Sequence, residues 1–150
     1  MWDYPRPPRV EPDTRHVVVV VGRTAVAETT RSLRVIETAS PPTFYIPSED
    51  VRMELLRPAR GVSHCEWKGR AEHWTVRTLE GEVVEAAAWT YPDPLEPYAA
   101  LRGHVSFYPG RADCYLDDER VRPQAGGFYG GWITSDLVGP FKGGPGSSGW

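Results

Sequence analysis

Apolar and polar residues alternate over short stretches of this chain, and Gly, Pro, Asp or Ser interrupt each stretch before a helical period can build up. That is the period-two signature of half-buried strands. The five valines Val17–Val21 read as a strand, and residues 16–21 with Thr24–Thr29 read as a hairpin turning at Gly22-Arg23. Residues 33–37 continue as a strand, ended by Ser40-Pro41-Pro42, and residues 43–46 form another that stops at Pro47. Ser48-Glu49-Asp50-Val51 carries helix-start chemistry, with Ser48 as cap and acids in the first turn. The run through Leu56 is two helical turns or a return to strand, closed by Pro58 and Gly61. Residues 96–101 are a second helical candidate. Residues 104–108 are a strand, and residues 114–117 with 119–122 form a last hairpin around Asp118. Residues 133–138 read as a helical turn, with Ser135-Asp136 as start signals.

The most informative stretch is residues 63–90, a double hairpin. Lys68-Gly69 and Glu80-Gly81 both suit two-residue turns. With such loops His64 faces His73, Cys65 faces Glu72, Glu72 faces Trp89 and Trp74 faces Ala87. Side chains alternate across a sheet, so one face then carries Cys65, Trp67, Arg70, Glu72, Trp74, Val76, Ala87 and Trp89. The other carries His64, Glu66, Ala71, His73, Thr75, Val84, Ala86 and Ala88. A slip of one residue in either hairpin exchanges the two sets.

About nine short strands with two or three short helical turns predict a mainly β, single compact domain of short antiparallel strands, a bent sheet or sandwich. Its 150 residues suffice for one core. Fifteen Gly and fifteen Pro fit a protein of strands and turns. Three parts are expected: an extended Pro-rich segment over residues 1–15, a β domain over 16–123, and a Gly/Pro/aromatic arm over 124–150. The arm carries Trp132, Phe141 and Trp150, which are costly to leave in water, so it is expected to dock on its own body or on a second copy as a homodimer.

A net charge of −3 gives no electrostatic case for nucleic acid or an anionic membrane. No apolar run approaches the length of a membrane helix and no signal peptide is visible. Two cysteines, Cys65 and Cys114, make neither a disulfide framework nor a four-cysteine zinc site. These features together point to the cytoplasm.

Three indoles on one face, Trp67, Trp74 and Trp89, are either an aromatic cage for a flat or cationic ligand or the core of a small sandwich. Arg70 and Glu72 on that face favour a partly wet cleft, because a dry core rejects such charges. His64 opposite His73, with Glu66 beside them, is a weak metal motif, and no zinc spacing supports it, so no cofactor is expected. Cys65 next to His64 invites a nucleophile, yet neighbours on a strand point to opposite faces. Lys68 at the hairpin tip is a solvated lysine or a contact for an anionic group. Neither Gly126-Gly127 nor Gly143-Gly144 has phosphate-loop spacing.

Tyr45-Ile46-Pro47-Ser48-Glu49-Asp50-Val51, then Ser63-His64-Cys65-Glu66-Trp67-Lys68-Gly69, then Ala87-Ala88-Trp89-Thr90-Tyr91-Pro92 resemble the bacterial domain-of-unknown-function family 427. That family is also labelled nucleotidyltransferase-like. Val105-Ser106-Phe107-Tyr108 and the hairpin over residues 113–121 extend the resemblance to residues 17–121. Glu66 departs from the proline common at that place in the family. The resemblance implies an antiparallel β fold similar to the β-tent group, which includes zinc-bearing members with two CxxC pairs and a tryptophan-cage ligand module. With no CxxC here, the zinc does not carry over. The transferase label finds no paired-Asp motif, nucleotide loop or phosphate clamp.

The expectation is therefore a domain that binds a small molecule in an aromatic-lined cleft. Trp67, Trp89 and Tyr91 wall it, Tyr45 and Lys68 give polar contacts, Cys65 forms the floor, and Arg70 and Glu72 lie alongside. The rival expectations are a small-substrate enzyme using Cys65, Glu66 or Lys68, and a dimeric interaction protein docking through its arm.

Overall fold

The valine run sets the architecture. In β2 (Val17–Val21) residues 17, 19 and 21 are buried and 18 and 20 half-buried, the one-face burial of a strand packed against a second layer. The structure, a computed structural model, describes residues 9–37, 40–65, 69–96, 98–124 and 130–135, with residues 37, 40 and 61–65 described by their backbone only. The domain is mainly β and compact, as expected, with every strand pair antiparallel.

The other strands are β1 (Arg9–Asp13), β3 (Thr24–Thr29), β4 (Ser32–Glu37), β5 (Ser40–Pro47), β6 (Leu56–Cys65), β7 (Gly69–Arg77) and β8 (Val83–Thr90). They are followed by β9 (His104–Phe107), β10 (Asp113–Leu116), β11 (Glu119–Arg120), β12 (Arg122–Pro123) and β13 (Trp132–Ile133). A long sheet runs β1-β4-β5-β9-β8-β7-β6, a short one β11-β10-β2-β3, and β12 pairs β13. Gly22, at φ +62°, makes the β2–β3 turn, and Asp117 and Asp118, both at positive φ, make the β10–β11 turn.

The main core lies between the two sheets. Val17, Val19 and Val26 from the short sheet meet Phe44, Ile46, Val76, Ala88 and Phe107 from the long one. Trp132 closes it, fully buried, with its ring 5.0 Å from that of Phe44 and its indole N–H donating to the Phe107 carbonyl at 3.1 Å. So the arm begins by docking on its own body. The Glu119 carboxylate fixes the next residues, accepting from the Ser135 amide at 2.8 Å and hydroxyl at 3.0 Å.

On the outer strands, Glu11 of β1 pairs with Arg34 of β4, and Asp13 accepts from Arg15 at 2.8 Å. Burial pulls the Asp13 carboxyl up, but the Arg15 hydrogen bonds and the charges of Arg15 and Arg34 outweigh it and leave it below the usual carboxylate range.

Four expectations about elements are corrected. Ser48–Asp50 and Met53–Leu55 are single 3-10 turns, and the first begins after Pro47 without a side-chain cap from Ser48. Pro58 and Gly61 do not end a segment, because both lie inside β6. That strand is the edge of the long sheet, where a proline without an N–H costs no ladder bond. Residues 132 and 133 form β13 instead of opening a helical turn, and residues 136–138 lie outside the described residues. The candidate at 96–101 is reduced to a 3-10 turn, Ala99–Leu101.

Candidate functional site

The face of the long sheet turned away from the short sheet carries the second cluster, and β-register builds it. Ile46 stands opposite Val105, so Tyr45 comes beside Ser106; Trp89 is opposite Ser106, and His73 is opposite Trp89. Cross-strand partners share a face, so Tyr45, Ser106, Trp89 and His73 form one row across β5, β9, β8 and β7. Tyr91 and Ala71 stand next to that row, and Tyr108 follows Ser106 two positions on. Tyr98 and Leu101, around the Ala99–Leu101 turn, cover it.

Here every large ring has a polar tip. The Trp89 indole N–H donates to the Tyr45 hydroxyl at 3.2 Å, with the rings edge-on at 5.9 Å. Tyr91 lies 6.1 Å from Tyr45 and Tyr108 lies 4.5 Å from Trp89 between centroids. His73 runs almost parallel to Tyr108, 6° between planes at 6.4 Å. The Arg111 guanidinium sits 4.3 Å over the Tyr108 ring and donates to the Ala86 carbonyl at 2.6 Å. Ala86 itself adopts φ +50°, in the left-handed region.

Burial, and after it the positive charge of Arg111, hold the His73 imidazole below its ordinary value. Burial raises the Tyr108 phenol against the opposing pull of Arg111, and the nearby Tyr45 adds to the rise. Both groups are therefore neutral near pH 7. One oxygen stands apart: Ser106 Oγ is buried and, among the described residues, has no hydrogen-bond partner. Trp89 is only 6% exposed, and part of its cover is backbone. A Cβ placed on Gly130 would lie 2.2 Å from the Trp89 ring, so only glycine lets the chain lie this close to the indole.

Tyr45, Trp89 and Tyr91 are brought together as the sequence suggested. The three-indole face is not. Between Val76–Val84 and Trp74–Ala88 the register advances four residues on β8 for two on β7, a bulge centred on Ala86. Those two extra residues leave the side-chain parity unchanged. The exchange comes from the β7–β8 loop, which is longer than two residues, with Arg77 opposite Val83 and the Thr78 N–H donating to the Glu82 carbonyl. Trp89 therefore falls opposite His73 and Trp74 opposite Ala88, and the two indoles lie on opposite sides of the sheet. Trp74 packs at the inner core and donates to Thr90 Oγ1 at 2.9 Å. Arg70 and Glu72 go with Trp74, paired to one another at 2.9 Å and both substantially exposed, and they are not beside Trp89.

The first hairpin is also shifted. Cys65 stands opposite Gly69, His64 opposite Arg70 and Ser63 opposite Ala71, so the loop is longer than two residues and His64 does not face His73. The face sets inferred from two-residue turns are exchanged on β6. The side chains of Cys65 and His64, and all of Glu66, Trp67 and Lys68, lie outside the described residues. Among the described residues no three His, Cys, Asp or Glu side chains converge as a metal site requires. The Cys114 thiol is buried in the main core and pushed far up by that burial, which makes it an inert packing group.

Ser106, Tyr98, Tyr108 and Gly130 were missed. Ser106 and Tyr108 alternate within a stretch correctly read as a strand, but nothing in it says which side is the core. Elsewhere, a shallow depression of about 220 Å³ lies on β3, lined by Ala25, Glu28, Asp50 and Arg52. Its Asp50 carboxylate already accepts from Thr29 at 2.7 Å and pairs with Arg31 at 3.1 Å, leaving little chemistry free.

Residues 9–118 match the model of a family described as a domain of unknown function (DUF427). No curated protein matches the chain. No helix among the described residues is long and apolar enough to cross a membrane.

Proposed function

The chain belongs to the family described as a domain of unknown function (DUF427), and from that premise we propose that it binds a small planar molecule against the outer aromatic face of its long sheet. Trp89 is the stacking surface, Tyr45, Tyr91 and Tyr108 are the walls, and the backbone at Gly130 is the cover that shifts to admit the ligand. The observation that carries this reading is the segregation of the rings. Tyr45, Tyr91, Tyr98 and Tyr108 gather with Trp89 on one side of the sheet, while Phe44, Phe107 and most of the aliphatic core take the other, together with Trp74 and Trp132. A face needed only for packing gains nothing from four hydroxyls and an indole N–H, each of which has to be satisfied once buried.

Arg70 and Glu72 stand on the Trp74 side and have no part in this reading. Tryptophan fluorescence tests it, using a panel of flat aromatic compounds on the unaltered chain and on Trp89→Phe. The expected result is saturable quenching in the first that is lost in the second. If no compound quenches, or if quenching persists without Trp89, binding at this face is refuted.

A further inference from the structure

Ser106 is an expensive residue where it stands. It is fully buried near the middle of the long sheet, in the row between Tyr45 and Trp89. A hydroxyl offers one donor and two acceptor positions. Buried without a partner it costs free energy that alanine, of nearly the same size, would not. The polar tips next to it are engaged with each other, since the Trp89 N–H is given to the Tyr45 oxygen. Such an unpartnered group has three explanations: a buried water, a tolerated defect, or a ligand atom that completes it.

We infer that the Ser106 hydroxyl is the hydrogen-bonding contact of the aromatic site, and that the ligand class is a planar ring whose inner edge is uncharged and bears a carbonyl or amide N–H. This rests on the binding reading given above and adds to it. The flatness follows from the walls, which are ring faces and edges. The neutrality follows from depth. Ser106 is at zero exposure, and a carboxylate or ammonium brought to it would shed its hydration with no opposite charge in the row to compensate. Tyr45 and Trp89 are uncharged, and His73 at the end of the row is held neutral by burial and by Arg111. An amide edge matches a hydroxyl in both directions, because each side gives and accepts.

The experiment uses the full chain and two probes of similar shape, benzamide, with an amide edge, and toluene, with none. Binding is read from Trp89 fluorescence and stability from thermal melting, in the unaltered protein and in Ser106→Ala. The expected result is benzamide affinity at least tenfold weaker in Ser106→Ala, toluene affinity unchanged, and a melting temperature that is equal or higher. If Ser106→Ala binds benzamide as well as the unaltered chain does, the Ser106 contact is overturned while the aromatic site stands. A lower melting temperature with both probes weakened alike overturns it too, since the hydroxyl then serves the fold through a buried water. If the unaltered chain binds neither probe, the aromatic reading itself fails and the Ser106 contact goes with it.

Discussion

The two faces of the long sheet are made by the same strands and differ in kind. The inner face, against the short sheet, is aliphatic and phenylalanine-rich, and its one fully buried indole N–H is satisfied by the Phe107 carbonyl. The outer face is built from tyrosine, tryptophan, histidine and serine, and the only cover described for it is the segment around Tyr98 and Leu101 and the backbone at Gly130. An inner residue is explained by volume alone. An outer one is explained only when its polar atom is accounted for, and at Ser106 it is not. The inner face holds the domain together, and the outer face is where the domain has chemistry left over.

The largest test of that division is on the inner side. Trp132→Ala removes a fully buried ring and its hydrogen bond, and is expected to cost about 3–5 kcal/mol, read from the midpoint of urea unfolding. It also reaches across the sheet. Gly130 is held over Trp89 by a segment that Trp132 and the Ser135–Glu119 contacts anchor. Acrylamide quenching of Trp89 in the folded variant is therefore expected to rise. Unchanged shielding of Trp89 would mean that the two faces are independent and that the cover is held in some other way.

How the sequence foretold these faces depends on where its rules apply. The β2–β3 hairpin was legible because Gly22 marks the turn and the valines alternate in burial around it. The β10–β11 hairpin was legible through its Asp-Asp turn. Tyr45, Trp89 and Tyr91 were grouped from the sequence and do lie together, but for a partly wrong reason. The grouping assumed a two-residue turn at Glu80-Gly81, and the longer loop, with Arg77 opposite Val83, puts Trp74 and Trp89 on opposite sides. One residue more in a hairpin loop leaves no mark in the sequence, and it exchanges every face assignment on the strand that follows. Pro58 misled in the opposite sense. It reads as a breaker, whereas an edge strand accommodates it, and whether a strand is at an edge is decided by topology.

A smaller effect separates a polar tip from the ring that carries it. Tyr45→Phe keeps the volume and deletes the oxygen that accepts from Trp89. With that buried indole N–H left unpaired, the loss is expected at about 1–3 kcal/mol by urea unfolding, with a shift in Trp89 emission. Phe44 and Phe107 on the inner face offer no comparable isosteric change, because they carry no polar atom to remove. A neutral outcome would mean that the N–H turns to another acceptor. Ser106 is next in the row, and Tyr45→Phe combined with Ser106→Ala would then show the full cost that either change alone conceals.

The smallest effect belongs to pH. His73 is the histidine of the outer row, and the inner cluster contains none. Burial first and Arg111 second place its folded-state value below the roughly 6.5 of an unfolded chain. In the window between the two values the unfolded chain binds the proton and the folded one does not, so stability rises with pH there. The contribution of neutral His73 is thus complete above about pH 6.5, is lost as the pH falls through that window, and has gone once the folded-state value is passed. Tyr108, also neutral, stacks beside the imidazole, and the Arg111 cation discourages its charging. His73→Gln cannot take up the proton, so stability measured from pH 7.5 to pH 5 should fall less steeply in the variant than in the unaltered chain. Hydrogen exchange should locate the acid-sensitive amides in β7 and β8 around the His73–Trp89 pair and leave β2 and β3 unaffected. Equal loosening of both sheets would show that protonation acts on the whole domain, and that the outer face has no separate stability of its own.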